Sequence, residues 1–382
     1  MNWEPHARQL MHEVATSGAV YDRRWKLALR ETPRHQFVPS IFTQRGNGSW
    51  VETTSEDPGW LAKAYRNDAL VTKLATTPAG DPITVSSSTK PGLMMRMLEA
   101  LEVRDGQRVL EIGTGTGYNA ALLCHRLGAA QVFSVDIGQD LVHAASARLA
   151  ALGYEPTLVT GDGAGGMPEH APFDRIIATC SVPAIPDAWQ QQVRQGGIIL
   201  ADLKLSENAG NLVLLRRTVN GLHGRFLPRW AGFMAMRAAD IAPTWTASAP
   251  AEAETTESTT ELEPYPWTML VPWFLANIGY AEPVRFGMRG FVAGKPQWTY
   301  LESAGGSWAR VRINADNGGR RTVVQGGPRR LWDVLEAEHQ HWTRLGRPDW
   351  SRFGLTVTPE GEHTVWLDNP ERPQTWPLQH SP

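Results

Sequence analysis

Arg108-Val109-Leu110-Glu111-Ile112-Gly113-Thr114-Gly115-Thr116-Gly117-Tyr118-Asn119 decides the fold of this chain. An apolar strand running into an acid is followed by a turn with glycine at alternate positions and then by the start of a helix. Such glycines let backbone and ligand approach where a side chain would collide, and the turn falls at the carboxyl end of a strand, where open sheets bind ligands. Working outward, strand-like and helix-like segments alternate: Asn119–Leu127, Gln131–Val135, Leu141–Leu152, Thr157–Thr160, Arg175–Thr179, Ala188–Val193 and Ile198–Leu203. Short apolar strands alternating with amphipathic helices predict an α/β, doubly wound, Rossmann-like sheet covered on both faces. Leu212–Arg217 and Gly224–Leu227 read as a closing hairpin, and Leu93–Leu101, with Pro91 near its start, as a helix before the first strand.

The remainder of the 382 residues reads differently. Residues 1–80 are a helical and loop segment, with Leu10, Met11 and Val14 at helical spacing and a loop around Gly46-Asn47-Gly48. Residues 81–240 form the domain around the glycine-rich turn. Between 241 and 264 the composition shifts to Ala, Thr, Glu, Ser and Pro, which reads as a linker or mobile loop. Residues 265–382 carry most of the 16 Trp and read as a small α+β domain, with strands at Trp298–Leu301, Ala309–Ile313, Thr322–Val324 and Leu355–Val357 and a helix at Leu331–Trp342. The charge balance, 37 Lys+Arg against 39 Asp+Glu, offers no global attraction to nucleic acid or anionic lipid. Two cysteines, Cys124 and Cys180, exclude a disulfide framework, and the 11 His show no pairing with carboxylates at metal-ligand spacing, so no metal is expected. Without a basic and apolar leader or a long apolar run, a cytoplasmic protein with no membrane partner is the expectation.

The glycine spacing and Glu111 argue against a dinucleotide, because an acid beside the turn repels a pyrophosphate and favours a cation. S-adenosylmethionine, with its ammonium and sulfonium, is such a ligand. Glu111, Gly113, Thr114, Gly115, Thr116, Gly117 and Tyr118 are therefore assigned to cofactor binding. Asp136, at the end of the second strand, is placed to accept both ribose hydroxyls, with Ile137 beside it. Asp162 in Gly161-Asp162-Gly163-Ala164, at the next strand end, is placed to meet an adenine amino group, while Gly163 leaves room for the ring.

Over about 82–237 the sequence resembles the protein-L-isoaspartate (D-aspartate) O-methyltransferase family, through the stretch from Val109 to Tyr118, Gly161-Asp162-Gly163, Ala171-Pro172-Phe173-Asp174-Arg175-Ile176-Ile177 and Gly196-Gly197. The resemblance implies a serine just before the first domain helix whose hydroxyl lies near the transferred methyl. Here the aligned stretch is Ser86-Ser87-Ser88-Thr89-Lys90-Pro91, with Thr89 on that position and Ser88 the alternative if the register slips by one. Cys180 is read as a spectator thiol shaping a pocket.

The ending, from Trp342-Thr343-Arg344-Leu345-Gly346-Arg347-Pro348 to Trp376-Pro377-Leu378, resembles actinobacterial methyltransferases associated with ribosomally made modified peptides, the graspetide and lanthipeptide systems. That resemblance implies a peptide partner: methylation of an aspartyl or isoaspartyl carboxylate in a precursor peptide, with the ester collapsing to aspartimide or isoaspartate. Two alternatives stand beside it, a general isoaspartate repair methyltransferase and a non-catalytic S-adenosylmethionine-binding peptide scaffold. The Trp-rich C-terminal domain is expected to recognise the peptide.

Overall fold

The computed structural model describes residues 2–77, 80–237, 255–280, 282–371 and 374–378, which form two compact units. The first comprises Met1–Cys180, Pro186–Leu200 and Met236–Ala239, and the second Ser181–Ile185, Ala201–Ala235 and Asp240–Pro382.

The first unit carries the parallel sheet. Its strands run in the order Thr157–Thr160, Val132–Asp136, Val109–Ile112 and Phe173–Val182, all parallel. Val109–Ile112 is buried at every position, which explains an apolar run without alternation. Helices Tyr118–Leu127 and Gln139–Ala150 connect these strands, and Pro91–Ala100, with Pro91 at its first position, precedes them. The expected α/β sheet is present, and its strand ends at Ile112, Asp136 and Thr160 place the quoted turns on one edge.

The segment before it is more than helix and loop. Helix Glu4–Thr16 buries Ala7, Leu10 and Val14, and helix Arg23–Glu31, capped by the Asp22 side chain, buries Trp25, Ala28 and Leu29. Beyond them lies a four-stranded antiparallel sheet in the order Trp50–Thr54, Ser40–Gln44, Leu70–Thr76, Pro82–Ser88. The loop expected around Gly46-Asn47-Gly48 is the turn of its first hairpin. These strands escape a periodicity reading because few of their positions are buried, leaving no apolar alternation.

The second unit contains two runs of antiparallel strands. One orders Ala209–Thr218, Gly221–Phe226, Phe353–Val357, His363–Leu367 and Thr375–Pro377. The other orders Thr256–Thr260, Arg321–Gly326, Trp308–Arg312, Trp298–Ser303 and Val284–Arg289. Trp273, Tyr280, Leu331, Trp332 and Leu335, from helices Leu270–Tyr280 and Leu331–Arg344, pack with Leu301, Val311 and Val323 on one face of the latter sheet. Leu270–Tyr280 has no polar stripe, since Val271–Asn277 are all buried, and so offers no amphipathic signal.

The expected boundaries at 240 and 264 therefore need correction. Strand Gly221–Phe226 pairs along Leu222–Arg225 with Gly354–Val357, so chain on both sides of the expected linker builds one sheet. Within that linker, residues 241–254 lie outside the described residues, whereas Thr256–Thr260 is a strand paired with Arg321–Gln325. Its threonines suit an edge strand exposed at most of its positions, which composition alone reads as unstructured.

Truncation after Ile241 is accordingly expected to give insoluble protein, because it removes the sheet partner of Gly221–Phe226 and the cover of the fully buried Leu212, Val213 and Leu222. Recovery of a soluble, monomeric 1–241 fragment by size-exclusion chromatography would contradict this division of the chain.

Candidate active site

The turn after Val109–Ile112 is held by two carboxylates with different duties. Asp136 Oδ2 accepts the Gly115 N–H at 2.9 Å, and its Oδ1 accepts the Gly138 N–H at 2.9 Å. Gly113 N–H donates to the Val135 carbonyl at 2.8 Å, and Gly161 N–H to the Asp136 carbonyl at 3.0 Å, tying three strand ends together. Gly113 and Gly117 have φ of 96° and 86°, backbone that side-chain-bearing residues rarely adopt. A Cβ on Gly113 would also lie 2.7 Å from the Thr179 Oγ1, which itself donates to the Gly113 carbonyl at 2.8 Å.

Glu111 lies beneath this turn, fully buried. Its Oε1 accepts from Asn119 Nδ2 at 2.7 Å and its Oε2 from Ser134 Oγ at 2.6 Å; Ser134 Oγ lies 2.7 Å from Thr114 Oγ1. Strand, turn, helix and neighbouring strand thus meet on one carboxyl. Burial raises its pKa to about 7 against the pull of its two hydrogen bonds, with the nearby Asp136 charge adding to the rise.

The expected cofactor residues divide by exposure. Gly113, Gly115, Ile137 and Asp162 keep open surface, and Asp136 keeps 9%. Glu111, Thr114, Thr116, Gly117, Tyr118 and Gly163 are buried. Tyr118 in particular turns inward, its ring centroid 5.7 Å from that of Phe37 and 5.8 Å from the Arg34 guanidinium, so its side chain belongs to the interior behind the turn. Asp162 Oδ1 caps a short helix by accepting the Ala164 N–H at 2.9 Å. A Cβ on Gly163 would meet Ile112 Cγ2 at 2.6 Å, so packing against the central strand already demands glycine there. Cys180 is half-buried beside Thr179 at the fourth strand end.

Strand Pro82–Ser88 runs up to this turn, since a Cβ on Gly115 would lie 3.9 Å from both Ser86 Oγ and the Ser87 carbonyl. Ser86 and Ser88 are buried and Thr89 is half-buried. Behind Thr89 sits Arg34, which sequence reading missed. Its guanidinium is fully buried and donates to the carbonyls of Ala64 (3.0 Å), Arg66 (2.7 Å), Asp68 (3.0 Å) and Thr89 (3.3 Å), with Ser88 Oγ at 3.5 Å. Burial lowers its pKa to about 10, which leaves it charged at neutral pH. A lone arginine after Pro33 has no periodicity or motif that would reveal this role. Among the described residues no group of His, Cys, Asp and Glu could hold a metal ion, and no helix is long and apolar enough to cross a membrane.

The donor set at the strand ends fits S-adenosylmethionine. A fixed carboxylate with open lone pairs suits a ribose diol, a glycine turn admits close approach, and a deeper acid complements a cation. Fold and site define an S-adenosylmethionine-dependent methyltransferase. The profile of the protein-L-isoaspartate(D-aspartate) O-methyltransferase (PCMT) family matches residues 58–224. The chain is 33% identical to protein-L-isoaspartate O-methyltransferase 2 of Anaeromyxobacter sp. (strain Fw109-5) over 220 residues, 57% of this chain and 78% of that protein. It is 41% identical over 215 residues to the protein-L-isoaspartate O-methyltransferase of Methylorubrum populi, 56% of this chain and 85% of that one. A solved structure named protein-L-isoaspartate O-methyltransferase shares the fold at TM-score 0.54 and 20% identity, covering 95% of this chain and 100% of its own. The chain belongs to the protein-L-isoaspartate O-methyltransferase family, enzymes that methylate carboxyl oxygens.

Asp136→Ala is expected to weaken S-adenosylmethionine binding by about one to two orders of magnitude, the value of charge-assisted hydrogen bonds worth roughly 1.5–3 kcal/mol. Unchanged affinity in calorimetric titration would remove Asp136 from the site. For Glu111 the sign follows from its raised pKa. Between the ordinary carboxyl pKa and about 7 the folded protein keeps a proton that the unfolded chain has lost, so stability falls as pH rises through that window. Relative to the ligand-free wild type, Glu111→Gln should therefore gain in Tm as pH rises from about 5 to about 8, from a starting offset set by the one hydrogen bond its amide nitrogen cannot accept from Asn119 or Ser134, while weakening cofactor binding. Parallel Tm curves would show that the burial does not act on this carboxyl.

Proposed function

We propose that this enzyme methylates the free carboxylate of isoaspartyl residues in polypeptides, a repair-type reaction, and that Thr89 orients that carboxylate. The observation that carries the reading is the half-buried Thr89, held through its carbonyl by the buried Arg34 at the end of a strand that abuts the Gly115 turn. When bound, S-adenosylmethionine supplies a methyl group on sulfur that passes to a carboxylate oxygen. A carboxylate is already ionised near neutral pH, its reference pKa being about 4, so no strong general base is required. The chain's own task is alignment and exclusion of water. In this reading Asp136 holds the ribose, Asp162 meets the adenine edge, Glu111 organises the turn and supplies deep negative charge, and Thr89 donates to the acceptor carboxylate. The methyl ester carries a better leaving group, methoxide, than the ionised acid does, so the following backbone nitrogen can attack the ester carbonyl and close an imide, its proton leaving with the methoxide as methanol.

The narrower expectation of a dedicated, ribosomally made precursor peptide rests on the C-terminal extension. A solved chain of the same enzyme name that covers 95% of this one gives the extension a structural counterpart, so its presence no longer favours a single-peptide substrate. Isoaspartyl carboxylates in general are the simpler reading. The second unit is then proposed to contribute polypeptide binding rather than chemistry.

The test is methyl transfer to a pair of peptides that differ only in an aspartyl or isoaspartyl linkage, with methylation of the isoaspartyl member expected. Thr89→Ala should lower kcat by about one order of magnitude, the worth of one lost hydrogen bond to a charged group, and leave cofactor affinity nearly intact. Ser88→Ala should not behave this way, because the Ser88 hydroxyl is buried against Arg34. If only the Ser88 variant loses kcat, Thr89 is not the orienting group. If neither peptide is methylated, the repair-type reading fails.

A further inference from the structure

The five-stranded sheet of the second unit has two unlike faces. One is covered by the helices described above. On the other, the residues of three neighbouring strands alternate aromatic ring and guanidinium. Arg289, Trp298 and Arg312 lie side by side across the strands, as do Gly287, Tyr300 and Arg310, and Glu302 faces Trp308. The rings lie down on the sheet: a Cβ at Gly287 would meet the Tyr300 ring at 2.7 Å, and one at Gly326 would meet Trp308 at 2.9 Å. Each ring carries a guanidinium above it, Arg289 at 4.1 Å from the Tyr300 centroid, Arg312 at 4.3 Å from Trp298 and Arg310 at 5.2 Å from Trp308.

The charge on this face is one-sided. Arg289 is paired with Glu302 at 2.7 Å, and Arg285 stands opposite Glu302 on the same face. Among the described residues of these strands, the other acid on this face is Glu257, on the far edge strand opposite Val324. Arg310 and Arg312 make no ion pair among the described residues, and both are accessible. Stacking on an indole fixes a guanidinium plane without consuming its N–H donors, leaving forks ready for carboxylates.

We propose that this face binds extended acidic polypeptide, and that Arg310 and Arg312 recognise carboxylates on alternate residues of it. The Cα atoms of Arg310 and Arg312, two positions apart on one strand, are about 7 Å apart, with the Arg310 guanidinium over Trp308 of the same strand and that of Arg312 over Trp298 of the neighbouring one, so each meets an extended chain at its own point along the face. Nucleic acid fits less well, because base stacking needs bare ring faces and here the guanidiniums cover them. The inference rests on the polypeptide substrate proposed above and narrows it to sequences with acidic flanks. Remote contacts of this kind act on KM selectivity rather than on the methyl transfer.

The direct experiment is fluorescence anisotropy with the full chain. A labelled peptide with Glu at alternate positions and no aspartyl linkage is compared with its Gln counterpart and with a single-stranded oligonucleotide of equal charge. Binding of the Glu peptide that is at least about tenfold tighter than the Gln peptide, weakened by salt and lost in Arg310→Gln/Arg312→Gln, supports the assignment. Equal binding of the two peptides, tighter binding of the oligonucleotide, or a double variant that binds like wild type each overturns it. Because the labelled peptide carries no aspartyl linkage, the anisotropy result decides whether this face binds acidic chain whatever the outcome of the methyl-transfer assay, and failure of that assay alone overturns only the catalytic reading.

Discussion

A single buried carboxyl, that of Glu111, is the constraint on which the cofactor edge depends. It ends the central strand, takes Asn119 from the following helix and Ser134 from the next strand, and through Ser134 reaches Thr114 in the turn. An acid without solvent is costly and persists where its lone pairs are satisfied and its charge has a use. Here the hydrogen bonds fix the turn, so that Gly113 and Gly115 face outward while Thr114 and Thr116 face inward. A cationic ligand near the turn recovers what burial costs the ionised form. Asp136 completes the arrangement from the outside by taking the Gly115 and Gly138 N–H groups.

A second buried charge governs the other side of the site. Arg34 gathers carbonyls from Ala64, Arg66, Asp68 and Thr89, segments that no hydrophobic pattern would bring together. Its cost is offset in part because both terminal nitrogens donate to backbone oxygens, while its Nε stays buried without a partner. The chain from Ala64 to Thr89 is thereby held together, and the strand that ends beside Thr89 runs against the glycine turn at Gly115.

The parallel sheet was legible because burial on both faces leaves unbroken apolar strands, and the turn was legible because its backbone demands glycine. Asp136 followed from the same strand-end logic. The roles within the turn are not separable by sequence: Glu111 and Tyr118 sit in the motif yet are buried, and Gly163 is required by its closeness to Ile112 Cγ2. Thr179, at the fourth strand end, was overlooked beside Cys180, although the register that located Asp162 also points to it. Arg34 left no trace because its partners are backbone carbonyls, which every sequence has. Residues 265–382 read as a domain apart because strands Gly221–Phe226 and Phe353–Val357, though paired, are far apart in sequence. The aromatic and arginine face likewise emerges only from cross-strand register.

In the proposed reading the strand-end carboxylates and the Thr89 hydroxyl together frame one methyl-transfer site. A crystal structure with S-adenosylhomocysteine and an isoaspartyl peptide decides it. The ribose hydroxyls are expected on the Asp136 carboxylate, and the isoaspartyl carboxylate within hydrogen-bonding distance of Thr89 Oγ1. A nucleoside bound away from Asp136, or a peptide carboxylate held by other groups with Thr89 uninvolved, would contradict it.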